Sequence, residues 1–579
     1  MIRACRSFLK SCPGVPLAVA LVLFGSSPRL AASQPDSVFT SSNLPIVVID
    51  THGQTIVDEP KITADMGIID NGEGVRNYLT DPFNGYDGSI GIEIRGSSSQ
   101  QFPKKQYGVE TRDSTGADMN VSLLGLPDEA DWVLSAPYSD KSLVRDALTY
   151  TLARQTGRYA SRARFCEVVI NGDYKGLYVL FEKIKRDKNR VNVSKMAPAD
   201  TAGDKLTGGY IVKIDKLDGS DTQGWYSGFP PYPGAWQQVY YQYHYPEYAD
   251  LAPQQMGYIQ RWMRDFEVAM ELPTYADTAL GYPHYLDVES FVDGILVSEL
   301  GKNVDSYRLS TFFHKDRDSK GGKLVMGPLW DFNHAFGNSD YYDGARTAGW
   351  QLIYSATNQN FHASDVWQAP FWWKKLFEEP GFAWRTHSRW QELRSGVFSD
   401  AAIAATIDSL TGMLSEAQAR NFDRWPILGT YVWPNAYVAQ TYAEELEYVK
   451  HWVRDRLQWM DVALGMESVT PGEGTDGLPG QIVLDQNYPN PFNAGTEISY
   501  RLPFAAHVRL TLYDMLGREV RVLVDEDLAA GVHRARVDAN GLAWGAYLYR
   551  LNVRPDYAGV GSRSIESGSS LTKQLVLVK

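Results

Sequence analysis

Short apolar runs broken by turn residues dominate the first part of the chain. Pro45-Ile46-Val47-Val48-Ile49, the alternating Gly91-Ile92-Glu93-Ile94-Arg95, and residues 106–111 read as strands, and 208–214 is another. Two apolar runs, 165–170 and 177–181, flank Asn171-Gly172 and Gly176, residues that accept positive φ, which predicts a hairpin. Between these strands the period changes. Leu143, Ala147, Leu148, Thr151 and Leu152 fall at helical spacing, with Ser139-Asp140 as the expected cap and Gly157 as the stop. Helical spacing returns at 254–271 and 286–300, the latter placing Phe291, Ile295, Leu296 and Leu300 on one side. Two strand-like runs follow at 309–313 and 323–326, and then mostly helical sequence, rich in Trp, Leu and Ala, from 367 to 464.

The Pro- and Gly-rich stretch 469–480 reads as linker, after which the pattern is period-two: Val508, Leu510, Leu512; Val520, Val522, Val524; Tyr547, Tyr549, Leu551. Strands so closely spaced predict a β-sandwich of roughly 100 residues. The expected organisation is an export signal at 1–33, a mixed α+β body at 43–465, a linker at 466–480 and a small all-β, immunoglobulin-like sandwich at 481–579.

Composition narrows the class. The 579 residues are 44% hydrophobic, as in ordinary globular chains. The formal charge is −13, and the first 33 residues carry four basic residues and no acid, so the remainder is more acidic still. That balance argues against nucleic acid as a partner. The tail from 481 has 11 Lys and Arg against 10 Asp and Glu, so the acidity belongs to the body. Basic residues, the apolar stretch 15–24 and the small residues Ala31, Ala32 and Ser33 read as a cleavable signal, and no segment is long enough to be a transmembrane span. Cys5 and Cys12 would leave with it, so Cys166 remains without a disulfide partner, and its apolar strand marks it as a small buried hydrophobe.

Candidate chemistry concentrates in Gly327-Pro328-Leu329-Trp330-Asp331-Phe332-Asn333-His334-Ala335-Phe336-Gly337. A strand ending in Asp331, with Asn333 two residues on, offers oxygen ligands to a hard cation; the same residues also make ordinary turns. Asp305 lies 26 residues earlier, in Asn303-Val304-Asp305-Ser306-Tyr307. The small-residue turn at 96–99, followed by Lys104 and Lys105, can lay backbone N–H groups and a countercharge against phosphates, and a plain hairpin with surface lysines accounts for it equally. With ten histidines and neither a His-Glu-x-x-His nor a Gly-x-Ser-x-Gly pattern, zinc and serine hydrolases lack their usual residues. The aromatic stretch 224–248 suits either packing or an acceptor surface.

Five ordered blocks carry a resemblance: Arg95-Gly96-Ser97-Ser98-Ser99-Gln100-Gln101-Phe102-Pro103-Lys104-Lys105; Leu123-Leu124-Gly125-Leu126-Pro127 leading to Asp131-Trp132-Val133-Leu134; Asp140-Lys141-Ser142-Leu143-Val144-Arg145; Asn171-Gly172-Asp173-Tyr174-Lys175-Gly176-Leu177-Tyr178 with Glu182-Lys183; and the Asp331 stretch. Over about 300 residues this resembles the spore-coat CotH family of secreted protein kinases. The resemblance implies an atypical two-lobed, protein-kinase-like domain using ATP and Mg²⁺ or Mn²⁺ to phosphorylate Ser or Thr of an exported protein. Asp305 and Asp331 would then be catalytic, Asp331 with Asn333 would hold the metal, Lys105 and Arg145 would contact phosphates, and Glu182-Lys183 looks like the adenine-binding hinge. Two departures stand out. The first helix shows no evident glutamate for a lysine partner, and Ser310 stands where a kinase catalytic loop has Asn, leaving Asn333 or Asn303 to substitute. A catalytically inactive family member serving as a surface adhesin or structural protein is the alternative.

The tail, with Leu484-Asp485-Gln486-Asn487-Tyr488-Pro489-Asn490-Pro491-Phe492-Asn493, Tyr513-Asp514-Met515-Leu516-Gly517-Arg518 and a final Leu575-Val576-Leu577-Val578-Lys579, resembles the C-terminal sorting domain of type IX secretion cargo. That implies the type IX machinery as a partner. It also implies passage through the periplasm to the surface of a Gram-negative bacterium.

Overall fold

Seven strands close into a barrel: Ile46–Asp50, Ile62–Ile69, Tyr86–Arg95, Gln106–Thr111, Asp131–Ser135, Ala163–Ile170 and Asp173–Glu182. Neighbours pair antiparallel except at the seam, where residues 46–49 run parallel to 167–170. In this computed structural model the described residues are 39–217, 223–465, 482–487, 489–502, 506–515, 517–529, 531–555 and 569–578. The expected signal at 1–33 and the whole expected linker at 466–480 lie outside them. By contacts the chain divides into Met1–Thr40 and Ser41–Lys579.

Strand alternation sorts the barrel side chains into two cores. Ile90, Ile92, Trp132, Leu134, Cys166, Val168, Ile170, Tyr178 and Leu180 fill the barrel. Val133, Phe165, Leu177, Val179 and Phe181 point the other way and join a large core with the helices. Burial on both faces is why these strands read as continuous apolar runs. Cys166 is a packing residue, and burial pushes its thiol up to about 12.

The second sheet is wholly antiparallel, in the order Gly224–Tyr226, Tyr240–Tyr245, Tyr210–Ile214, Thr311–Lys315, Leu324–Met326. Behind it pack the predicted helices, found at Pro253–Glu271 and Val288–Gly301, followed by Trp372–Phe377, Pro380–Arg394, Asp400–Gly412, Ala417–Arg424 and Tyr442–Ala463. The Val288–Gly301 helix is buried over most of its surface, and its buried acids Asp293 and Glu299 are paired with arginines. Asp287 caps it by accepting from Ser290 N at 2.9 Å.

One boundary differs from the expected one. The first helix spans Arg145–Gln155, with Val144 at its cap position. Leu143 adopts φ 67°, so the segment 140–144 is a turn rather than a helical one. Asp140 still serves the helix end, because its Oδ2 accepts from Arg145 N at 2.8 Å.

The C-terminal part forms two antiparallel sheets. One comprises Val483–Leu484, Gly495–Leu502 and Gly531–Asp538; the other is Glu519–Leu528, Ala506–Tyr513, Gly545–Pro555 and Ser569–Leu577. Residues at every second position, among them Ile498, Tyr500, Val508, Leu510, Leu512, Tyr549 and Leu551, meet in one core between them. The period-two pattern therefore produces the expected all-β unit.

Candidate functional site

Antiparallel register brings three loops to one end of the second sheet. Ile214 pairs with Thr311, and Phe313 with Met326, so the chain leaving Ile214, the chain entering Thr311 and the chain leaving Met326 all emerge together. These loops carry Asp215, Asp305 and Asp331. Facing them are the turn after Arg95 and the barrel residues Val133, Ser135 and Phe181, and the space between is a cleft of about 650 Å³. The turn demands its glycine, since Gly96 has φ 99° and a Cβ there would run into the Ser99 hydroxyl.

Asp305 is firmly held. Arg308 Nη2 donates to its Oδ1 at 2.6 Å, and His334 Nδ1 lies 3.3 Å from Oδ2. Burial alone would raise this carboxyl, but Arg308 and His334 more than offset that and hold it well below the usual carboxylate range. Despite its own burial, the Asp305 partnership pushes His334 up. Asn303 ties the two acidic loops together, accepting from Asp305 N at 3.3 Å and donating to Asp331 O at 3.0 Å. That employment removes Asn303 from the expected metal ligands.

Asp331 is different. Its carboxylate has no hydrogen-bond or ion-pair partner among the described residues, and its backbone is left-handed at φ 62°. Crowding by protein, together with Asp305 and Asp215, pushes its carboxyl up even with His334 nearby, although the residue remains open to the cleft's solvent. Asn333 lines the same wall. Asp146, on the first helix, also faces the cleft; burial and Asp331 push it up to about 7. Asp215 is pushed up by burial too, and accepts from Ser310 N at 3.3 Å.

Three cations line the cleft, and one of them, Lys213, pairs with Asp215 at 4.0 Å. Arg95 has no carboxylate within ion-pair distance among the described residues, and its guanidinium lies 5.7 Å over the Trp330 ring. Burial holds it below the usual arginine range, with Asp331 the foremost opposing influence. Lys216 is similarly unpaired, 5.7 Å from the Trp367 ring. One wall is aromatic: Tyr150 stacks on Trp330 at 5.8 Å, and Phe181 meets Tyr150 edge-on at 5.2 Å.

The structure thus brings Asp305, Asp331 and Asn333 together, and it does not bring the other predicted residues to them. Arg145 is completely buried, bound through Nη1 to Asp140 at 2.6 Å and Glu445 at 2.9 Å, so it is a clamp and not a phosphate contact. Lys105 Nζ donates to Gln100 O at 2.5 Å, bracing the turn from behind. Its neighbour Lys104 is sealed against Leu177 O and Asn421, and burial lowers its ammonium to about 7. Glu182 is fully buried and paired with Arg162, and its backbone N–H already donates to Arg162 O, which removes it from an adenine-binding role. Lys183 points to Asp131 at 3.7 Å, outside the cleft. The residues that sequence reasoning missed are Arg95, Asp146, Tyr150 and Asp215. Asp215 directly follows the strand Tyr210–Ile214, whereas the strand expected to end in Asp331 stops at Met326, five residues before it.

A barrel and a helix-backed sheet enclosing an acid-lined cleft, with an all-β C-terminal part, define a mixed α+β cleft protein. The chain belongs to the CotH kinase protein family, whose model matches residues 92–460, more than half of its length. A second model, the secretion system C-terminal sorting domain, matches residues 486–556. The chain is therefore a secreted or cell-surface member of the CotH family, with a tail that engages the type IX secretion machinery. No curated protein sequence matches it. Among the described residues, no helix is long and apolar enough to cross a membrane.

Proposed function

We propose that this protein is an atypical secreted protein kinase whose barrel and helix-backed sheet act as its two lobes, transferring the γ-phosphoryl group of ATP to Ser or Thr of an exported protein. The carrying observation is the meeting of Asp305 and Asp331 at one sheet end, one firmly paired and the other without a partner among the described residues. Phosphoryl transfer asks mainly for positioning and electrostatics, and these two environments divide that work.

Asp331 and Asn333 would hold Mg²⁺ or Mn²⁺. The fit rests on the solvent-open Asp331 carboxylate, which a cation would satisfy; Mg²⁺ takes only one or two protein carboxylates and fills its remaining positions with water and phosphate. Bound there, the ion supplies countercharge to the phosphates. Arg95, rather than Lys105 or Arg145, is the phosphate cation of the barrel side. The aromatic wall of Tyr150, Phe181 and Trp330 offers the purine a stacking face. Asp305, kept ionised by Arg308 and His334, orients the acceptor hydroxyl.

The inactive-adhesin reading draws on Lys105 and Arg145 both being committed elsewhere. Incubating the purified protein with labelled ATP, Mg²⁺ or Mn²⁺ and co-exported proteins separates the two readings: label on a co-exported protein supports the kinase, and nucleotide binding without any transfer supports the adhesin. The tail should act as a separable export device, carrying the protein from the periplasm to the surface of a Gram-negative cell. A chain ending near Thr470 is expected to fold, bind nucleotide and remain in the periplasm, and its delivery to the surface would contradict the sorting role.

A further inference from the structure

We propose that the Arg145–Gln155 helix is the positioning element of the cleft, and that Asp146 and Tyr150 act on the reaction through the backbone of Asp331. The inference rests on the kinase reading for its functional consequence but stands on geometry that is independent of it.

The left-handed backbone at Asp331 is one that Asp tolerates at some cost, so its surroundings must hold it in place. They do so from one helix. Asp331 N donates to Tyr150 Oη at 3.0 Å, and Phe332 N donates to Asp146 Oδ1 at 2.7 Å. Asp146 and Tyr150 are four residues apart, on one helical face. Just before them, Arg145 donates through Nε to Ala335 O at 3.0 Å and through Nη2 to Phe336 O at 3.5 Å. The first half of a single helix thus grips the metal-binding loop at four backbone atoms.

The grip has a fixed base. Arg145 is locked between Asp140 and Glu445, the latter on the Tyr442–Ala463 helix, and the Tyr150 ring is pinned by Trp330 and Phe181. Asn303 holds the Asp331 carbonyl from the opposite side. Displacing the helix would therefore displace the Asp331 carboxylate, and misplacements of about 1 Å cost catalysis on the order of a hundredfold. In this reading Asp146 and Tyr150 are positioning residues, and the Asp146 carboxylate is spent on a backbone amide rather than on a cation.

The test uses the full chain and two readouts. Amide hydrogen exchange without ligand follows Asp331 and Phe332 directly, and ATP titration with Mg²⁺ or with a chelator follows the metal-dependent part of binding. Tyr150→Phe keeps the ring and removes the acceptor. It should speed exchange at the Asp331 amide at least about tenfold and weaken Mg²⁺-dependent ATP binding by a similar factor. Asp146→Ala should do the same at Phe332, and Asp146→Asn, whose amide oxygen still accepts, should recover most of that loss. Unchanged exchange in both Tyr150→Phe and Asp146→Ala overturns the proposal. So does an Asp146→Asn variant as impaired in Mg²⁺-dependent binding as Asp146→Ala, which would make Asp146 a direct charge. If Tyr150→Phe does not fold, the two Asp146 variants decide. Wild-type protein without Mg²⁺-dependent ATP binding would remove the kinase reading, and exchange would still decide the clamp.

Discussion

The two sides of the cleft use charge in opposite ways. On the barrel side, the most conspicuous charged residues of the sequence, Lys104, Lys105, Arg145, Glu182 and Lys183, are taken up by partners elsewhere in the protein. On the sheet side, Asp331 and Lys216 face the cleft without ion-pair partners among the described residues, and across from them Arg95 is the barrel's one similarly unpaired cleft cation. A buried charge with satisfied partners contributes to architecture, and removing one partner leaves the other stranded. A charge facing a cleft without a partner is available to a ligand. Residue type alone does not separate the two cases.

The comparison breaks most visibly at Arg145. Arg145→Ala strands Asp140 and Glu445 in the interior, and the expected loss is about 3–5 kcal/mol of stability, read by chemical denaturation. Retained stability with lost nucleotide binding would return Arg145 to the cleft. Arg95 should give the reverse signature: Arg95→Ala weakens ATP binding about tenfold, in line with the loss of a hydrogen bond to a charged group, while the melting temperature without nucleotide barely moves. Lys105→Ala should change affinity less than Arg95→Ala. An equal or larger effect at Lys105 would reverse the assignment.

A smaller effect concerns pH. Asp146 in the folded protein is raised to about 7 by burial and by Asp331, above the range of an unfolded chain. The folded state therefore keeps this proton longer, so the contribution is present below about pH 4 and is lost as pH rises through about 7. Relative to Asp146→Asn, the wild-type melting temperature should fall between about pH 4 and pH 7 and level off above. A parallel pair of pH profiles would show that Asp146 ionises normally.

Much of this was legible in the sequence. The alternation at Gly91–Arg95 and the helical spacing of Phe291, Ile295, Leu296 and Leu300 placed real elements, and the acids at the ends of apolar runs pointed to the loops that line the cleft. Barrel closure was not legible, because it depends on a parallel pairing of 46–49 with 167–170, far apart in the chain. The same distance explains the misassigned cations. Arg145 is neutralised by Glu445, 300 residues later, and Lys104 is bound by Asn421, 317 residues later. Asp140 stands five residues before Arg145 in the same motif, but nothing local announces Glu445 or Asn421, which complete the two burials. Arg95 was quoted within its motif, but its freedom becomes visible only once its neighbours are known.

The central claim is that Asp331 holds the cation and Asp305 serves the acceptor. It is tested most directly by measuring label transfer from ATP and Mg²⁺-dependent ATP binding in Asp331→Asn and Asp305→Asn, substitutions that keep volume and remove charge. The account predicts that Asp331→Asn loses at least about a hundredfold in transfer together with its metal-dependent binding, while Asp305→Asn loses transfer but largely keeps binding. Near-normal transfer by a folded Asp331→Asn protein would contradict it.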